Sequence, residues 1–233
     1  MRKSRKSKRR ESRNDFLFDV AGRRGGTRRG AGRKPKGKRA GVPHKTRSAV
    51  RASQPQHVTA KMLAGLPTLR EARALEALCE SFHAAKERLG VRLVHFSAQA
   101  DHLHLIVEAQ DRAAMSRGLQ GLFVRVAKAL NELWRRKGTV FADRFHVHGL
   151  KTPRETRNAL AYVLQNAAKH GLRRGSVDPF SSGSWFDGWN RTVRRALAGF
   201  VAPVAQPRSW LLRLGWQRWG LIDPCEVPGA RDH

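Results

Sequence analysis

Tyrosine occurs once in these 233 residues, cysteine twice and acidic residues only 18 times, against 47 lysines and arginines. Each scarcity excludes something. Cys79 and Cys225 lie far apart and the first falls in a helical pattern, so neither a disulfide scaffold nor a cysteine zinc site is expected and both read as reduced thiols. No stretch approaches the roughly 18 apolar residues of a spanning helix, and no charged-then-apolar signal segment opens the chain, which predicts a cytoplasmic protein without a membrane partner. What is abundant is positive charge. A formal net charge of +29 attracts polyanions, and nucleic acid is the expected partner. Hydrophobic residues make up 40% of the chain, enough for one principal domain with extensions.

The charge is unevenly spread. Residues 1–54 hold 20 of the 47 basic residues and 3 of the 18 acidic ones, interleaved with Gly-rich runs. Too little apolar surface is available there to offset chain entropy, which predicts a disordered basic arm that adds sequence-independent affinity for phosphates. After Pro55 periodicity sets in. His57–Met62 reads as a strand, and Leu69, Leu75, Leu78, Phe82 and Leu89 recur at helical spacing, with Gly90 placed to end that helix. Val91–Gln99 and His102–Glu108 read as a hairpin joined at Ala100 and Asp101.

A long helix is expected from about Asp111 to Lys137, then a strand over Thr139–Leu150. Thr152, Pro153 and Glu155 supply the cap, first-turn proline and third-position glutamate of a further helix, running to Gly171. The order strand, helix, strand, strand, helix, strand predicts an α+β, ferredoxin-like antiparallel sheet with helices on one face, followed by a helix bearing Tyr162. That domain would span 55–172. The 173–233 extension holds five of the six tryptophans, which either pack a satellite core or stack on unpaired bases; burial is the commoner fate of tryptophan.

Two segments carry potential chemistry. Strand alternation puts His102 and His104 on one face, with Leu103, Leu105 and Val107 on the other, so the two imidazoles could share a metal ion. On the later helix Asn158, Tyr162 and Asn166 fall at successive i, i+4 positions, with Lys169 nearby. A phenol oxygen can attack a phosphodiester and hold a strand covalently, while imidazoles and an amide oxygen can hold a divalent ion. Either segment alone is equally well read as a polar face meeting water. Gln165 could present its amide in place of Asn166. A second pair, His146 and His148, shares a strand face and is a rival metal site; the alternative is that these histidines line the approach to DNA together with Arg144, or face solvent.

Taken together the segments resemble the single-tyrosine HUH transposases, particularly the REP-associated tyrosine transposases of bacteria. Asp101-His102-Leu103-His104-Leu105-Ile106 is similar to that family's histidine, hydrophobe, histidine strand. Tyr162-Val163-Leu164-Gln165-Asn166 is similar to its tyrosine helix, and Phe141-Ala142-Asp143-Arg144-Phe145 to the segment before it. The resemblance spans approximately 55–190. It implies a ferredoxin-like fold in which His102, His104 and Asn166 ligate Mg or Mn and Tyr162 attacks single-stranded or hairpin DNA. The product would be a covalent 5′-phosphotyrosine and a free 3′-hydroxyl, reversible onto another strand without ATP. The family often has asparagine where this chain has Asp101, whose carboxylate could bond a ligand imidazole or add charge near the ion.

The resemblance also implies a bacterial, nucleoid-associated protein, monomeric or dimeric. Three functional readings stand at this point. The first is the strand transferase, mobile or domesticated. The second is a non-enzymatic basic nucleic-acid-binding protein or an inactivated relic, which would bind without cleaving. A plasmid relaxase or replication initiator ranks last, because such chains are longer and arrange their tyrosine differently.

Overall fold

The computed structural model describes residues 50–166, 176–193 and 201–226, all within a compact unit running from Val42 to His233. Most of the basic arm and Lys169 lie outside the described residues. The elements are β1 (Gln56–Lys61), α1 (Ala72–Ala85), β2 (Glu87–Arg88), β3 (Val91–Ala98), β4 (His102–Ala109), α2 (Arg112–Leu133), β5 (His146–Gly149) and α3 (Pro153–Gln165). A 3₁₀ turn at Ser182–Trp185, a one-turn helix α4 (Trp210–Arg213) and a 3₁₀ segment at Gly215–Trp219 follow. The sheet is antiparallel with order β2-β3-β4-β1-β5. Setting aside the two-residue β2, this is the ferredoxin-like strand order expected from the sequence.

Alternation along the strands makes two cores. Val58, Ala60, Phe96, Leu103, Leu105 and Val107 point to one face, where Leu78 and Phe82 of α1 and Leu119, Val126 and Leu130 of α2 cover them. The helices come close to the sheet: a Cβ on Gly118 of α2 would lie 2.5 Å from Val91 Cγ2. Val94 and Ile106 point the other way and pack under Leu160, Val163 and Leu164 of α3. Val94 reaches that face because a bulge between Leu93 and His95 inserts it as an extra residue. The tyrosine helix therefore covers the second face, and the C-terminal segment completes the layer with Phe186, Trp189, Leu212 and Trp216.

Three expected boundaries move. The first helix covers Ala72–Ala85, not Leu69 to Leu89, because the chain turns at Lys86 into β2. Gly90 (φ +75°) serves the tight β2–β3 turn together with Leu89 (φ +54°) instead of capping the helix. The strand expected over Thr139–Leu150 is reduced to His146–Gly149, with Phe141 making only an isolated bridge to Met62. Between them the Asp143 carboxylate accepts from the Arg144 backbone N–H at 2.7 Å, a local bond that competes with strand pairing.

The tryptophans divide. Trp189 and Trp216 are buried in the second core, whereas Trp210 and Trp219 stay about half exposed. Residues 176–193 are tied to the sheet by Arg70, whose guanidinium bonds both carboxylate oxygens of the fully buried Asp178 and the Ala98 carbonyl. No helix among the described residues is long and apolar enough to cross a membrane.

Candidate active site

The second sheet face gathers histidines from four strands. His57, Thr59 and Lys61 of β1 lie in register with Ile106, His104 and His102 of β4, and His57 and Thr59 are opposite His148 and His146 of β5. Across β4, Ser97 pairs with His104 and His95 with Ile106. The two histidine pairs singled out in the sequence thus share one face, on strands that flank β1.

His104 is the centre. Its ring centroid lies 4.7 Å from that of His102, 5.3 Å from His57 and 5.1 Å from Tyr162, and the His57 ring is 5.8 Å from Tyr162. Its Nδ1 is 3.2 Å from both His57 Nε2 and Thr59 Oγ1. Its Nε2 is buried and has no hydrogen-bond partner among the described residues. His102 is oriented from its own strand start: Nδ1 donates to Asp101 Oδ1 at 2.8 Å, since an ionised carboxylate only accepts. Asp101 therefore bonds the imidazole beside it, and this bond is the main reason its carboxyl is held below the usual range, with Lys61 Nζ at 3.8 Å assisting.

Burial decides the charge of the face. Desolvation, reinforced by His57 and His102, pushes His104 down to about 3, and desolvation with the nearby His148 pushes His57 down to about 4. His95, enclosed beneath Phe186 and bonded through Nδ1 to Ser182 Oγ at 3.1 Å, is pushed down to about 3 by burial. At neutral pH these imidazoles are uncharged, the form in which histidine ligates a metal.

The donor set fits a divalent ion in its chemistry. With Nδ1 engaged on both His102 and His104, Nε2 is the nitrogen each ring has left to offer a metal, the arrangement that carboxylate or hydroxyl support gives a ligating imidazole. The orphaned His104 Nε2 is the clearest sign, since buried polar atoms without partners are uncommon. Among the described residues no three His, Cys, Asp or Glu side chains cluster as a metal site.

Tyr162 reaches this cluster because α3 starts where it does. Thr152 Oγ1 accepts from the Glu155 N–H at 3.2 Å while the Glu155 carboxylate accepts from the Thr152 N–H at 3.1 Å, with Pro153 in the first turn. Leu160, Val163 and Leu164 then bury against Val94 and Ile106, which turns the intervening Tyr162 toward His104. Asn166, one turn on, is buried, and among the described residues no hydrogen bond joins it to either imidazole. Gln165 is buried too; its Nε2 donates to the Asp223 carbonyl at 3.2 Å, while its Oε1 has no partner. His146, His148 and Arg144 are exposed, and no ring contact links the two histidines to Tyr162 among the described residues.

Sequence reasoning overlooked His57, Thr59 and His95. The signal for the first two was present, as His57, Thr59 and Lys61 alternate with Val58, Ala60 and Met62, but only the register of β1 against β4 reveals which histidine they support.

Residues 67–166 match the family described as "Transposase IS200 like". The matched segment runs from the approach to α1 through the tyrosine helix to Asn166, within the 55–190 span of the resemblance. No curated protein matches the chain. Similar solved structures include a REP-associated tyrosine transposase bound to a REP hairpin, at 17% identity and TM-score 0.49, covering 60% of this chain and 82% of that one. A candidate transposase from Deinococcus radiodurans R1 follows at 12% identity and TM-score 0.36, covering 48% and 86%. A bacterial tRNA(His) guanylyltransferase-like protein in complex with ATP aligns at 12% identity and TM-score 0.35, covering 53% and 62%.

Proposed function

We propose that the chain is a strand transferase of the REP-associated kind, acting on single-stranded, hairpin-forming DNA with Tyr162 as nucleophile. The observation that carries this reading is the placement of the sole tyrosine, its ring 5.1 Å from His104, which in turn lies 4.7 Å from His102. A phenol this close to two oriented imidazoles is more than the polar helix face of a mere binding protein requires.

Attack of the Tyr162 oxygen on phosphorus forms the phosphotyrosine bond and breaks the bond to the 3′ oxygen; the phenol loses its proton and the departing oxygen gains one. One phosphodiester replaces another, so the step reverses onto a different 3′-hydroxyl. His102 and His104, through Nε2, would hold Mg or Mn, with Asn166 as third ligand. When bound, the ion would offset charge growing on the phosphate and favour the phenolate. Asn166 is preferred because it continues the stripe of Tyr162, whereas the Gln165 amide is committed through its nitrogen to Asp223; the free Gln165 Oε1 keeps that residue second. Asp101 orients His102, and Thr59 and His57 orient His104. His146, His148 and Arg144 are read as lining the approach of the strand. The net charge of +29 supplies affinity for the backbone, and the hairpin form of the substrate follows from the sequence resemblance.

A denaturing gel of labelled hairpin DNA incubated with Mg or Mn tests the reading. A protein-linked band is expected with the wild type and metal, and not with Tyr162→Phe or the double variant His102→Ala, His104→Ala. Tight, salt-dependent binding with no adduct across a broad hairpin library would instead establish a binding protein or an inactive relic.

A further inference from the structure

Trp219 is 53% exposed, unlike Trp189 and Trp216 of the same segment, which lie at 7% and 2%. It is nevertheless held in place. Arg157 of α3 donates to the carbonyls of Gly220 and Leu221 and makes two bonds, of 2.7 and 2.8 Å, to the Glu226 carboxylate, pinning the turn after Trp219 onto the tyrosine helix. The Arg154 guanidinium, also from α3, sits 5.0 Å from the Trp219 ring centroid. Trp219, Arg154, Arg157 and Asn158 line a cleft of about 580 Å³. The acidic residues there are already paired, Glu226 with Arg157 and Asp223 with Arg191 and Asn190, which leaves Arg154 to set the charge beside the ring.

Arg154, Asn158 and Tyr162 occupy successive i, i+4 positions on one stripe of α3. Eight residues at a helical rise of about 1.5 Å place Arg154 about 12 Å along the axis from Tyr162. That is within a few nucleotides of a strand whose phosphate lies at the phenol.

We infer that Trp219 with Arg154 forms a stacking position for an unpaired base of the strand flanking the scissile phosphate. This rests on the strand-transferase reading and adds a place where the flank is gripped. The face of an indole accepts any base, and a guanidinium beside it meets the adjoining phosphate, so the position contributes affinity and register with little sequence choice.

The test is an abasic scan of the single-stranded flank of a labelled hairpin. Binding is read by fluorescence anisotropy in EDTA, where no cleavage intervenes, for wild type, Trp219→Ala and Trp219→Phe. For the wild type, removing the base at one flank position should weaken binding about 5- to 100-fold. Trp219→Ala should weaken the intact strand by a similar factor and be indifferent to that abasic site, with Trp219→Phe intermediate and thermal midpoints unchanged. Arg154→Ala should lower the slope of affinity against salt, which Trp219→Ala leaves alone. Identical abasic profiles for wild type and Trp219→Ala would overturn the inference while a Tyr162-linked adduct, assayed separately with Mn, left the strand-transferase reading intact. A localised Trp219-dependent profile without any adduct would do the reverse.

Discussion

The two faces of one sheet carry different duties although they are built from alternate residues of the same strands. Under α1 and α2 the strand residues are almost all aliphatic or aromatic, the exception being Gln56 at the start of β1, whose amide donates to the Gln54 carbonyl. Under α3 the same strands present His57, Thr59, His95, Ser97, His102 and His104, several of them buried and held by specific partners. The first face stabilises by area removed from water, which tolerates exchange of one apolar group for another of similar volume. The second accepts a costlier interior, in which imidazoles are kept neutral and one ring nitrogen is left without a partner. Stability should therefore respond to the first face, and chemistry to the second.

The sharpest break of that contrast is Tyr162→Phe, expected to reduce adduct formation to background on a denaturing gel while hairpin affinity and thermal stability hold. Next is Leu105→Ala on the apolar face. It should cost about 2–5 kcal/mol in urea unfolding, as truncations of fully buried leucines do, without altering Mn affinity of the folded protein. Asp101→Ala should do the opposite. By loosening the orientation of His102 it is expected to weaken Mn binding about 10- to 100-fold, followed by electron paramagnetic resonance, with little change in unfolding free energy. A variant that moved both quantities equally would dissolve the distinction between the faces.

The smallest effect is a pH dependence. His95 sits at about 3 when folded and returns to its ordinary value of 6.5 when unfolded. Between those values the unfolded chain binds the extra proton, so stability rises with pH through this window and is lost as pH falls from about 6.5 toward 3. His57 and His104 add slopes of the same sign. Thermal midpoints should decline on acidification below pH 6.5, and His95→Gln should flatten that decline; an equal slope in the variant would show that His95 is not a source of it.

Much of this arrangement was legible in residue order. Period-2 alternation around His102 and His104 and the Thr152-Pro153-Glu155 signal are local, and local rules suffice for them. The α3 helix stands where its cap predicts, and the strand order follows from the sequence of elements. What could not be read locally depends on register. Nothing between Gln56 and Lys61 says that Thr59 will lie opposite His104 and not one residue away, yet that pairing gives Nδ1 of the central imidazole its hydroxyl partner. Helix ends were misjudged for a related reason: Leu69 and Leu89 fit the helical period, but Leu69 is buried outside the helix and Leu89 serves a hairpin turn. The tryptophans illustrate the same limit, as composition alone does not divide Trp216 in the core from Trp219 at the surface.

Arg157 gives the chain's far end a mechanical hold on its chemistry. Through four bonds it clamps residues 220, 221 and 226 against the helix that carries Tyr162, as far along the chain as the described residues extend. The helix that places the phenol beside His104 is thus braced from a region more than fifty residues further along the chain. Cutting that strap, as Arg157→Ala would, is expected to free the end of the chain from the tyrosine helix without touching a residue of the histidine cluster.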